Sequence, residues 1–179
     1  MKLSAKLGLF FLSVLPLLAQ DTPVRKIPSV SVAPVPLTEI TRGKTNSIEL
    51  DFRVPAGYHI NSNKPSAEYL IPTSLRLDVP TDIMVGKIEY PDGEDMSFAF
   101  APDEKLSVYT GDFTVTLNVR PLSGVLPGKY EFHGELKYQA CDNAACYPPK
   151  KLPVRFEVKV LKAPKPKAKN PAQSPNVHN

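Results

Sequence analysis

Apolar and polar residues alternate along much of the chain between Val32 and Leu161, the two-residue period of strands that bury one face. Ile48, Leu50, Phe52 and Val54 alternate with Glu49, Asp51 and Arg53, and Pro55-Ala56-Gly57 then turns the chain. Tyr58-His59-Ile60 starts another short strand. After a polar stretch with Asn61, Asn63 and Pro65, strands are expected at 70–71, 74–79 and 83–90, the last closed by Pro91-Asp92-Gly93. Two more, at 106–109 and 113–119, flank Thr110-Gly111-Asp112, and Pro127-Gly128 opens a strand over 130–140. The final strand points Val154, Phe156, Val158 and Val160 inward and Arg155, Glu157 and Lys159 outward, ending at Leu161.

No window carries a helical period, and the 20 prolines interrupt most candidates for one. About seven or eight short strands with regularly spaced turns predict an all-β fold, an immunoglobulin-like two-sheet β-sandwich. The Cys, Trp, Cys pattern of antibody domains is absent, since the chain has no Trp. Roughly 130 residues between 32 and 161 suffice for one domain with one core.

The ends have a different composition. Lys2 and Lys6 precede an apolar run from Leu7 to Leu18, and Ala19 stands at a plausible cleavage position, so residues 1–19 read as a secretory signal peptide. The run is short for a membrane span, and no later stretch is long and apolar enough to cross a bilayer. Residues 20–31 are expected to be a flexible leader, and 162–179, rich in Pro, Lys, Ala and Asn, a disordered tail. The mature chain is thus expected to be soluble and exported.

The net charge of +4 also belongs to the ends. Setting aside Lys2, Lys6, Arg25, Lys26, Lys162, Lys165, Lys167, Lys169 and Asp21 leaves 14 basic and 17 acidic residues of the 22 and 18 in the chain. The globular part is therefore mildly acidic, so the basic balance of the chain is not read as a nucleic-acid signal, for which a patterned basic face would be expected.

The distinctive chemistry lies in Tyr138-Gln139-Ala140-Cys141-Asp142-Asn143-Ala144-Ala145-Cys146-Tyr147-Pro148-Pro149, which holds the only two cysteines. In an oxidising compartment a Cys141–Cys146 disulfide is the default. Tyr130, Phe132, Leu136 and Tyr138 share one face of the preceding strand, and continuing the alternation puts Cys141 on the opposite, polar face unless the register changes at the loop. Closing so small a loop removes only about 2 kcal/mol of unfolded-state entropy, against nearly 5 for a bridge spanning a domain. A structural staple and a redox-active pair both fit these residues. Zinc is a third reading, with His59, His133 and His178 in the chain, but C-x4-C without a second ligand pair is a weak signal and no metal site is expected. No feature orders a Cys, His and acid set for hydrolysis.

Tyr138-Gln139-Ala140-Cys141 followed by Cys146-Tyr147-Pro148-Pro149 resembles the N-terminal periplasmic domain of the thiol:disulfide interchange protein DsbD. Pro55-Ala56-Gly57-Tyr58-His59-Ile60 and Val108-Tyr109-Thr110-Gly111-Asp112-Phe113 resemble further pieces of that family, and the likeness runs from about Ile40 to Val160. The resemblance implies a protein-disulfide reductase type of exchange in the periplasm, serving cytochrome c maturation or disulfide correction. Cys146 would form the mixed disulfide with a partner and Cys141 would resolve it, with no cofactor because the sulfurs carry the electrons. Phe98 or Phe100 is the implied cap over the pair, and Tyr58, Tyr109 and Tyr147 the implied lining. Lys150 and Lys151 would favour a thiolate and Asp142 oppose it.

Two features depart from the family pattern. Four residues separate the cysteines, one fewer than the family leads one to expect, and the membrane and thioredoxin-like sections of the full protein are not seen. The implied partners are therefore thioredoxin-like exported proteins and a membrane electron transporter acting in trans. The competing reading is a non-catalytic immunoglobulin-like binding module whose disulfide only holds the hairpin.

Overall fold

The structure, a computed structural model, describes residues 28–163. Alternating sequence becomes strand wherever one face finds a core. β3 (Asn46–Arg53) and β9 (Asp112–Pro121) pair antiparallel from Asn46 against Val119 to Arg53 against Asp112. With β1 (Ser31–Val32) and β6 (Ile83–Glu89) they form a sheet in the order β1-β3-β9-β6. A second sheet, β2-β12-β10-β5, comprises β2 (Thr38–Thr41), β5 (Ser74–Asp78), β10 (Gly128–Tyr138) and β12 (Lys150–Leu161), with β2 parallel to β12.

Leu50, Phe52, Val115 and Leu117 of the first sheet and Phe132, Leu136 and Val158 of the second belong to one buried cluster. Burying each such side chain is worth about 1.5–3 kcal/mol. Aromatic contacts add direction: Phe52 stacks on Phe113 at 5.3 Å, and Phe132 meets Phe156 at 5.0 Å. The fold is the expected all-β, immunoglobulin-like sandwich.

A third sheet joins the two. β4 (His59–Asn61), β7 (Glu94–Phe98), β8 (Ala101–Tyr109) and β11 (Ala140–Cys141) are ordered β11-β4-β8-β7. It carries a smaller cluster of its own, made by Leu70, Phe98, Leu106 and Val108. The expected strand at 70–71 is instead loop, with Leu70 packed into this cluster. β10 and β12 run side by side from Gly128 against Val160 to Tyr138 against Lys150, so the longest ladder of the domain delivers the chain to the cysteine loop and takes it away again.

The last residues of the expected leader belong to the fold. Val30 is buried and its N–H donates to the Tyr138 hydroxyl at 3.1 Å, while Ser31 pairs with Arg53. An apolar residue with a core site and a backbone partner is held, so the boundary at residue 31 moves toward the N-terminus. The expected signal peptide, most of the leader and the tail from residue 164 lie outside the described residues. Among the described residues no helix is long and apolar enough to cross a membrane.

Candidate functional site

Cys141 and Cys146 form a disulfide with their Cα atoms 3.9 Å apart, paired as an antiparallel bridge across the loop. The loop is built by its own backbone. Asp142 N–H donates to the Ala145 carbonyl at 2.9 Å, and Tyr147 N–H donates to the Ala140 carbonyl at 2.8 Å, which brackets the cysteine pair. Asp142 closes the turn, its Oδ1 accepting from the Ala144 and Ala145 N–H groups at 2.8 and 2.9 Å. That is the local side-chain-to-backbone bonding for which Asp is favoured in turns. Its Oδ2 accepts from the Tyr147 hydroxyl at 2.7 Å, and Gln139 Nε2 donates to the Tyr147 carbonyl at 3.1 Å.

The two cysteines differ in access. Cys141 is 0% exposed, whereas Cys146 lies on the surface. Burial of Cys141 overturns the expectation that it faces the polar side. β10 ends at Tyr138, Gln139 interrupts the strand, and Ala140-Cys141 resumes it as β11 in the third sheet, where both residues are buried. Alternation counted along β10 does not survive that change of sheet.

On its other side Cys141 pairs with His59 of β4. Directly opposed residues of antiparallel strands project to the same face, with Cβ atoms about 4.5–5.5 Å apart. His59, Cys141 and Cys146 therefore form one row across three strand segments. His59 is buried, and its Nε2 has no hydrogen-bond partner. Burial lowers its pKa to about 4, opposed in part by the negative charge of Asp142.

Phe98 stacks on the His59 ring at 3.8 Å, and Phe100 stacks outside Phe98 at 5.5 Å. Both phenylalanines stand where the β7–β8 hairpin turns, Phe98 pairing with Ala101. Phe98 is buried at 6% exposure and Phe100 is exposed at 38%, so Phe98 is the inner ring of the stack. Tyr58 meets Tyr147 edge-on at 6.1 Å beside the loop. Tyr109 serves the core: its ring stacks on Phe113 at 4.8 Å, and its hydroxyl donates to Asn63 Oδ1 at 2.6 Å. The structure thus gathers Tyr58, Phe98, Phe100 and Tyr147 around the row and joins Tyr109 to the sandwich.

In the sequence His59 stands out only as one of three histidines available to a zinc site, and nothing there places it opposite Cys141. The available signal was weak, because β4 is buried at all three positions and shows no alternation to mark a special face. Of the charges considered for the thiolate, the Lys151 ammonium sits 2.8 Å from Glu135, and that of Lys150 donates to Ser29 Oγ at 2.7 Å. His133 is exposed on β10 beside Glu131, and His178 lies outside the described residues. Among the described residues no three His, Cys, Asp or Glu side chains gather as a metal-ligand group.

A three-sheet, immunoglobulin-like domain that exposes one half of a loop disulfide and buries the other defines the class of this protein. A model of the N-terminal domain of the thiol:disulfide interchange protein DsbD matches residues 30–158, and the chain belongs to that family. Family and disulfide together support thiol-disulfide exchange as its general chemistry.

Among solved structures, the chain is similar to the reduced DsbD N-terminal domain of Neisseria meningitidis, at 20% identity and a TM-score of 0.41, covering 74% of this chain and 87% of that one. It is likewise similar to a complex between the DsbD and PilB N-terminal domains of the same organism, at 20% identity and a TM-score of 0.40, covering 76% and 87%. No curated protein matches the chain.

Proposed function

We propose that this chain is an exported exchange domain that relays two electrons from a membrane reductant system to disulfide-bearing proteins through Cys141 and Cys146. The unequal exposure of the two cysteines carries the reading. In the dithiol form the exposed Cys146 thiolate attacks a partner disulfide, forming a mixed disulfide and releasing one partner sulfur as thiolate. Cys141 then attacks the Cys146 sulfur, the mixed bond breaks, and the second partner sulfur leaves. The partner gains two electrons and two protons, and the domain is left with its Cys141–Cys146 disulfide. A buried resolving cysteine favours this order, because a partner sulfur reaches Cys146 first.

Recharging the pair needs an external dithiol donor, for which a membrane electron transporter acting in trans is the proposed source. Thioredoxin-like exported proteins are the proposed acceptors, in cytochrome c maturation or disulfide correction. Phe98 and Phe100 are the proposed cap, with Tyr58 and Tyr147 lining the loop.

The test is trapping. Cys141→Ala incubated with an oxidised thioredoxin-fold protein is expected to accumulate a one-to-one mixed disulfide through Cys146, read by intact mass under non-reducing conditions. Cys146→Ala is expected to accumulate none. Equal trapping by both variants, or by neither, would favour a binding module that merely keeps its bond.

A further inference from the structure

The buried imidazole of His59 has no part in the scheme above, yet it occupies the row that ends in the disulfide. Its Nε2 is buried without a hydrogen-bond partner, a condition folded proteins avoid and one that another state of the protein can relieve. Cys141 is its paired residue across the strands, on the same face. While the disulfide is closed, the Cys141 sulfur has no proton to donate. Once it opens, a buried thiol appears on the residue paired with His59, whose Nε2 lacks a partner.

We propose that His59 is the proton acceptor for Cys141 in the resolving step of the exchange reaction, an assignment that rests on the reading of Cys146 as the entry sulfur. In the mixed disulfide the Cys141 S–H donates to His59 Nε2. As the Cys141 sulfur bonds to that of Cys146, its proton passes to His59 and the bond between Cys146 and the partner breaks. The partner sulfur leaves with the electron pair and receives the proton by way of solvent, restoring the neutral imidazole.

The surroundings set the terms of this transfer. A cysteine in an apolar site holds its proton more tightly than a free one, so Cys141 needs help to become a nucleophile. Phe98 and Phe100, from the β7–β8 hairpin, bring only rings to the histidine, and Asp142 is the charged group whose field reaches it. That negative charge favours the transient imidazolium. Burial keeps the ring neutral beforehand, so a lone pair is open to the S–H across the neutral range, while the same burial makes the nitrogen a weak base that holds the proton only in passing.

A single-turnover reaction of the reduced chain with a nitrobenzoate disulfide probe separates the two steps. The first chromophore reports attack by Cys146, and the second reports resolution by Cys141. His59→Phe keeps an aromatic ring for Phe98 to stack on and removes the acceptor. The expected result is a second phase slowed about tenfold or more, displaced to higher pH, beside an unchanged first phase. His59→Gln, whose amide oxygen can accept a hydrogen bond but cannot take the proton, is expected to stay slow, and full recovery of the rate in it would overturn the proton transfer. A second phase as fast in His59→Phe as in the parent would overturn the proposal and leave His59 a packing residue. A change in the first phase alone would do the same, since it reports only access through the hairpin.

If the parent itself shows no second phase, it is the exchange reading that fails, and the proton role with it. If His59→Phe does not fold, the imidazole nitrogen shifts of the parent decide. Movement of Nε2 toward hydrogen-bonded values on reduction supports the role, and no movement overturns it.

Discussion

Asp142 and Tyr147 each follow one of the two cysteines, and the Tyr147 hydroxyl donates to the Asp142 carboxylate at 2.7 Å. The link joins the two sides of the loop without using the disulfide, and the same carboxylate accepts two backbone N–H groups at the turn. The loop therefore has hydrogen bonds that can persist in the dithiol, holding Cys141 and Cys146 close enough to close again. Such pre-organisation is what a cycling pair needs and a permanent staple does not.

Charge and geometry at Asp142 can be separated. Asp142→Asn keeps an oxygen acceptor for the turn and removes the negative charge between the cysteines, which favours the thiolate. Alkylation of reduced Cys146 near neutral pH is expected to rise about fivefold, the effect of about 1 kcal/mol between close charges in water. Tyr147→Phe deletes the link and is expected to cost about 1 kcal/mol in denaturant unfolding of the reduced form.

The two phenylalanines of the hairpin are predicted to behave differently. Phe98 is buried against His59, so Phe98→Ala is expected to cost about 3 kcal/mol or more and to speed reduction of the disulfide by a small thiol. Phe100→Ala removes a partly exposed outer ring and is expected to cost under about 1 kcal/mol. Paired unfolding and reduction kinetics on the two variants check the order.

His59 also gives the fold a pH dependence of definite sign. Burial lowers its pKa from 6.5 to about 4, so between these values the unfolded chain binds a proton that the folded chain refuses. This contribution is fully present above pH 6.5, falls away as the pH drops toward 4, and amounts to about 3 kcal/mol. Denaturant unfolding across that window is expected to show a slope that His59→Phe flattens. An identical slope in both would place the titrating group elsewhere.

Legibility in the sequence followed burial. β3, β9, β10 and β12 each bury one face of a long ladder, so their alternation is visible in the residues themselves. β7 hides only Phe98 at its end, and β1 and β11 are two residues each, too short for any period. The cysteine pair was legible in the residues themselves, and four of its aromatic neighbours only through a family likeness. The depth of Cys141 was not, because it depends on the transfer between sheets at Gln139. Nor was the place of His59 beside it, which depends on pairing between strands about eighty residues apart in sequence.

The most direct test of the account is the reduction potential of the Cys141–Cys146 bond, found by equilibrating the purified chain against graded thiol buffers and counting free thiols by mass. A cycling pair is expected to give a value among catalytic dithiols, roughly −120 to −270 mV. A value well below about −300 mV would mark a bond that exported thiols cannot open, contradicting the relay and leaving a binding module with a fixed loop.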